Sequence, residues 1–195
     1  SFKLYSVRKQ ALVLQDLSLA NKSGSAINNQ SKKRTFVLLE GSSSLADGSV
    51  GSGGDYLDQV STEDDKAAFF SEGQLIFSGK GSLNVDGNCK AGVRSDDYVR
   101  FLPGCNIYVD ASKGNGIRGN DSVVISGGVL NVNITGTACK GISTDGVVRI
   151  DGGRTTVLTS GTYEWDDDDE DYSACGGIKA DSLVIINAGQ ILLKS

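Results

Sequence analysis

The chain has 195 residues, enough for one sizeable core, with 26 glycines, one proline and neither histidine nor methionine. A formal charge of −5 argues against nucleic acid, whose phosphates need a basic face, and the missing histidine removes Ser-His-Asp catalysis and imidazole zinc sites. No apolar run approaches the roughly 18 residues that span a membrane, no secretory leader is present, and the missing initiator reads as a piece of a longer precursor.

Short runs of Val, Ile, Leu and Thr between Gly, Asn, Asp and Ser turns predict many short strands. Ala11 to Leu19 reads as the end of a first turn of a repeat. Ala26-Ile27 opens a looser second repeat, with Phe36 to Leu39 as its apolar run and an insertion after it. Ala68-Phe69 opens a third, in which Leu75, Phe77 and Gly79 fall in place and Lys80 is one extra residue. From there the pattern is regular, and Gly92, Gly116, Gly141 and Gly177 mark its successive starts. Val93, Ile117, Ile142 and Ile178 follow the marks directly. Val99, Val123, Val148 and Val184 stand seven residues on, and Phe101, Ile125, Ile150 and Ile186 nine residues on. Gly104, Gly128, Gly153 and Gly189 close each segment, and apolar pairs after them (Leu130 and Val132, Ile191 and Leu193) make a further strand.

A spacing of 24, 25 and then 36 residues between marks, with Val and Ile at alternate positions, is a strand signature and not that of a leucine-rich repeat. The fold class is therefore all-β, a single-stranded right-handed parallel β-helix. It has about seven coils of roughly 24 residues with three short strands in each. Residues 1–195 read as one domain. Irregular N-terminal coils with an insertion occupy 1–67, and regular coils occupy 68–195, interrupted by an acidic insertion over 160–173. Arg100, Val124, Arg149 and Ile185 face outward, and the strand ending near Ser195 leaves an edge that expects further sequence or a cap.

Gly116-Ile117-Arg118-Gly119-Asn120-Asp121-Ser122-Val123-Val124-Ile125-Ser126-Gly127-Gly128 resembles the repeated signature of a bacterial extracellular carbohydrate-binding domain family with a pectate-lyase-like β-helix. Gly177-Ile178-Lys179-Ala180-Asp181-Ser182 matches the same signature. Glu63 to Ser71 and Ala11 to Ile27 resemble the family's earlier segments. The resemblance implies non-catalytic binding of plant-type polysaccharide (cellulose or pectin-like), with calcium on the helix, outside the cell or at its surface, where a lipid anchor ahead of Ser1 is one arrangement. One departure stands out: the family's Asp before Gly-Ile is replaced by Ala91, Asn115, Lys140 and Gly176. Where those aspartates bind metal in relatives, such sites are lost here.

Two groups of residues suit calcium. Asp96, Asn120, Asp145 and Asp181 form a ladder four residues past the marks, flanked by Asp97 and Asp121. Stacked coils would bring these oxygens to the spacing calcium takes, and the same residues also suit turns. The insertion holds Asp166, Asp167, Asp168 and Asp169 beside Tyr163, Trp165 and Tyr172. Its aromatics could stack on a sugar ring and its acids hold calcium; a solvated, self-repelling loop is the plainer alternative. Arg94, Arg118 and Lys179 recur two residues past the marks, either as a basic stripe or as the base of a calcium-dependent lyase. No catalytic residue is assigned. Cys139 and Cys175 each stand two residues before a mark on successive coils, so they stack either as a disulfide or as small apolar thiols. Polysaccharide binding leads the functional reading, with an adhesin or surface scaffold, and then a lyase, as alternatives.

Overall fold

Strands of three to six residues run the length of the chain, and all but one hairpin pair in parallel with strands of the neighbouring coils. This computed structural model describes residues 1–51, 54–57, 62–167 and 170–195. Three seven-stranded sheets result. The first takes Phe2–Leu4, Ile27–Asn29, Ala67–Ser71, Ala91–Ser95, Ile117–Gly119, Lys140–Thr144 and Gly176–Ala180. The second takes Gln10–Gln15, Thr35–Glu40, Leu75–Gly79, Tyr98–Phe101, Ser122–Ile125, Val147–Ile150 and Leu183–Ile186. The third takes Ser18–Ala20, Ser42–Ala46, Ser82–Gly87, Asn106–Ala111, Val129–Ile134, Arg154–Thr159 and Gln190–Lys194. One strand from each sheet makes a coil. The chain is a parallel β-helix of seven coils, right-handed like other parallel crossovers.

Alternation within each strand decides what is inside. In Val129–Ile134, Leu130, Val132 and Ile134 are buried while Asn131 and Asn133 point outward. In-register stacking then lines the interior with columns. Ile27, Phe69, Val93, Ile117, Ile142 and Ile178 succeed one another on the first sheet. Val37, Phe77, Phe101, Ile125 and Ile150 do so on the second, and the column ends at Ile186, which with Val184 is exposed on the last coil because no further coil covers it. Phe77 lies parallel to Phe101 at 5.3 Å and edge-on to Phe69 at 5.6 Å. Each such buried aliphatic or aromatic side chain contributes about 1.5–3 kcal/mol.

Two glycine columns are fixed by space and by backbone shape. A side chain at Gly92, Gly116 or Gly141 would sit 2.1–2.3 Å from a methyl of Val109, Val132 or Val157, so the repeat mark is the clearance for the third sheet's valines. Gly104, Gly128, Gly153 and Gly189 have φ of 101°, 83°, 81° and 109°, the left-handed corner into the third sheet.

The N-terminal coils keep this architecture with different fillings. Phe2–Leu4, which the pattern had not marked, is the first strand of the earliest coil. The run Phe36 to Leu39 alternates: Val37 and Leu39 are buried, while Phe36 is 40% exposed. Thr35 takes the interior place that Leu75 holds one coil on. Its hydroxyl accepts from Asn29 at 2.9 Å, and Asn29 also donates to Ser71 at 2.8 Å. Asp47 anchors the insertion that follows, with its carboxylate taking the Lys90 backbone N–H and the Tyr56 hydroxyl, both at 3.1 Å. Among the described residues no helix is long and apolar enough to cross a membrane.

Candidate functional site

The predicted carboxylate ladder lies at the corner between the first and second sheets, where most of its members meet the basic residues of the neighbouring column. Arg94 Nε lies 3.2 Å from Asp96, and Lys66 Nζ is 2.6 Å from Asp96 and 2.8 Å from Asp64. Arg118 reaches one coil onward and contacts both Asp145 oxygens, at 2.7 and 2.8 Å. Lys179 lies 3.1 Å from Asp181. The basic stripe and the acidic ladder are thus one seam of ion pairs, with Asn120 joining it through a 3.4 Å bond to Asp96. Asp97 accepts from Gln74 and from the Tyr98 backbone N–H, and Asp121 is exposed at its turn. Oxygens of Asp64, Glu72 and Asp96 converge within 4.8 Å of one another, yet Lys66 already supplies a cation there. Burial and the Asp64 and Asp96 carboxylates push the Glu72 carboxyl above its ordinary range.

The acidic insertion forms an antiparallel hairpin, Glu164–Asp166 with Asp171–Ser173. Because the strands pleat, its two faces differ. Trp165 stands opposite Tyr172, and Asp166 opposite Asp171. Tyr163, Trp165 and Tyr172 are 67%, 49% and 60% exposed, and they meet in one cluster. The Tyr172 ring lies 5.3 Å from Tyr163 and 5.0 Å from Trp165, at interplanar angles of 88° and 77°. The three therefore do not make a flat platform; each flanking ring offers its own face beside a perpendicular neighbour. Asp167 is exposed at the tip, and Asp168 and Asp169 lie outside the described residues.

Between the hairpin and the last coil lies a cleft of about 670 Å³. Asp166, Asp171 and Tyr172 line one side, and Lys140, Ile178 and Lys179 the other. Sequence reasoning had noted Lys140 only as the replacement of an aspartate. In the structure its ammonium donates to the Ala138 carbonyl of its own turn at 3.0 Å and, at the hairpin's root, to the Ser173 hydroxyl at 3.2 Å and the Ala174 carbonyl. Burial lowers its pKa, and Lys179 adds to the fall. These bonds give Lys140 a role in positioning the hairpin. The one available signal was its place directly before a repeat mark.

Cys139 and Cys175 are neighbours across the coil step, since Lys140 pairs with Gly176, and both are thiols in the structure. The Cys139 thiol donates to the Thr137 carbonyl at 3.1 Å, and the Cys175 thiol to the Gly136 carbonyl at 2.9 Å. Burial raises the Cys139 thiol pKa, and Cys175 raises it further.

Residues 5–139 of this scaffold are matched by a family model described as carbohydrate-binding domain-containing protein. The match covers more than half of the chain. The chain belongs to that family. A search of curated proteins finds no match. Among solved structures, a gadolinium derivative of the polysaccharide lyase-like protein from C. thermocellum is similar in fold. It has 22% identity and a TM-score of 0.66, covering 94% of this chain and 75% of that one. The carbohydrate-binding domain match takes in the first five coils and stops before the hairpin.

Proposed function

We propose that the protein binds polysaccharide without cleaving it, gripping the chain in the cleft beneath the hairpin, with calcium as an aid. The observation that carries this reading is the hairpin itself. It sets an exposed aromatic cluster on one face and paired carboxylates on the other, above a cleft with two lysines, in a member of a carbohydrate-binding family. Sugar rings offer apolar C–H faces to aromatics and hydroxyls to carboxylates and amines, the mixture that ligand sites commonly present.

Calcium takes six to eight oxygens, and the residues present suit it at the hairpin better than at the seam. Asp166 and Asp171 are directly opposed on the hairpin and line the same cleft, so their oxygens face one volume from two strands. Asp96, Asp145 and Asp181 already have Lys or Arg partners, so the ladder is the weaker candidate. Asp166 and Asp171 would hold the ion, and a bound calcium would bridge to sugar hydroxyls or uronate carboxylates. With plant-type polysaccharide as its ligand, the protein would work outside the cell or on its surface.

The test is calorimetry with cellohexaose and hexagalacturonate, with and without calcium, on the parent protein, Trp165→Ala/Tyr172→Ala and Asp166→Asn/Asp171→Asn. Calcium-supported binding of either sugar that both variants weaken supports the reading. Binding untouched by either variant, or release of unsaturated product from the uronate, overturns it.

A further inference from the structure

The three lateral faces of the helix differ in chemistry. On the first sheet the outward residues from Arg94 to Lys179 belong to the ion-pair seam. On the second, one outward column runs Phe36, Ile76, Arg100, Val124, Arg149, Ile185, apolar at one end and alternating with arginine at the other. The third face is lined by short polar side chains. One of its columns runs Ser44, Asn84, Tyr108, Asn131, Thr156, and the next runs Asp86, Asp110, Asn133, Leu158.

Between these two columns lies a groove of about 230 Å³, continued by a smaller hollow of about 100 Å³ against Asp86, Asp110 and Asn133. Tyr108 is 40% exposed in its wall, and its ring has no aromatic neighbour among the described residues. Asn133 donates to one oxygen of Asp110 at 2.9 Å, and Asp110 is exposed. From Asp86 to Leu158 the groove crosses four coils, about 14 Å along the axis at the usual strand spacing. An amide offers a donor and an acceptor side by side, the pairing that neighbouring hydroxyls need.

We propose that this groove is a second carbohydrate site, taking a neutral, linear oligosaccharide laid along the helix axis with one ring stacked on Tyr108. The proposal rests on the reading that the protein binds polysaccharide, but not on the hairpin. Two independent observations favour it. Residues 5–139, the stretch that places the chain in a carbohydrate-binding family, contain Tyr108, Asp86, Asp110, Asn131 and Asn133 and none of the hairpin. The groove's carboxylates also select against an anionic sugar. Asp86 and Asp110 stand side by side on adjacent coils, and partial desolvation together with Asp110 raises the Asp86 carboxyl.

The experiment is calorimetric titration of cellohexaose and hexagalacturonate into the parent, Tyr108→Ala, Tyr108→Phe and the Trp165→Ala/Tyr172→Ala variant. Loss of an exposed ring at a binding hot spot should weaken cellohexaose about tenfold in Tyr108→Ala, with Tyr108→Phe close to the parent. Hexagalacturonate binding should not respond to either change. Cellohexaose binding that is equal in parent and Tyr108→Ala overturns the groove, and a simultaneous loss in the hairpin variant would leave the cleft standing. Weakening of both sugars by Tyr108→Ala also overturns it, because the groove would not discriminate charge. Failure of the parent to bind either sugar removes both sites.

Discussion

Thr155 is the residue at which a single exchange should strengthen this protein. It is 1% exposed, stacked in the third sheet between Leu130 and Ile191, and its hydroxyl has no partner among the described residues. Burying an unpaired hydroxyl costs about 1–3 kcal/mol on the scale of protein substitutions. Valine has the same branched shape and is favoured in strands, so Thr155→Val removes that cost without opening a void. A gain of about 1–2 kcal/mol follows, which for a chain of this size raises Tm by roughly 3–6 °C. Scanning calorimetry, with urea unfolding to check that the slope is unchanged, measures it directly. An unchanged or lower Tm would show that the hydroxyl is satisfied in solution, and the account of this coil's interior would fail.

Three further outcomes follow from other sites. Gly128→Ala puts a side chain at φ 83° and 2.4 Å from the Cys105 carbonyl; it should cost about 2–4 kcal/mol, and a Tm within 2 °C of the parent would refute the corner's account. Glu72 has a raised pKa, so its stabilisation is present in acid and is lost as pH rises through the folded value. Glu72→Gln should accordingly melt above the parent at pH 7, with the difference closing below the ordinary value of 4.5; a variant that melts lower at pH 7 contradicts the sign. Burial pushes the Cys89 and Cys105 thiols up to about 11, whereas Cys175 is only half-buried, so a thiol reagent at neutral pH should label Cys175 first, read by mass spectrometry of digests. Prior modification of Cys105 would be incompatible with its packing.

Much of the fold could be read from residues 92–195, because the main interior columns there are filled by Val, Ile and Phe at recurring offsets from the glycine marks. The marks at Gly92, Gly116 and Gly141 were legible even though their cause, the valine methyls opposite, belongs to another strand. The first coils were fainter because Thr35, Asn29 and Ser71 fill interior places with a hydrogen-bonded set, which no hydropathy pattern registers. At the site, the acidic and basic columns were each visible, but their pairing was not. Arg118 bonds Asp145, 27 residues later, and only the coil step brings them together. The insertion's composition was plain, whereas its fold into two chemically distinct faces depends on which residues pair. Tyr108 carries no such signal, because an aromatic among Asn and Ser at outward strand positions looks ordinary in one dimension.

The unbroken register of the third sheet has an evolutionary corollary. Each coil repeats its neighbour by a simple translation, so duplication of one coil would lengthen the lateral groove by about 4.8 Å and leave every existing contact in place. Such a scaffold can be adjusted to longer or shorter ligands by copying or deleting segments of gene, with no redesign of the parts that remain.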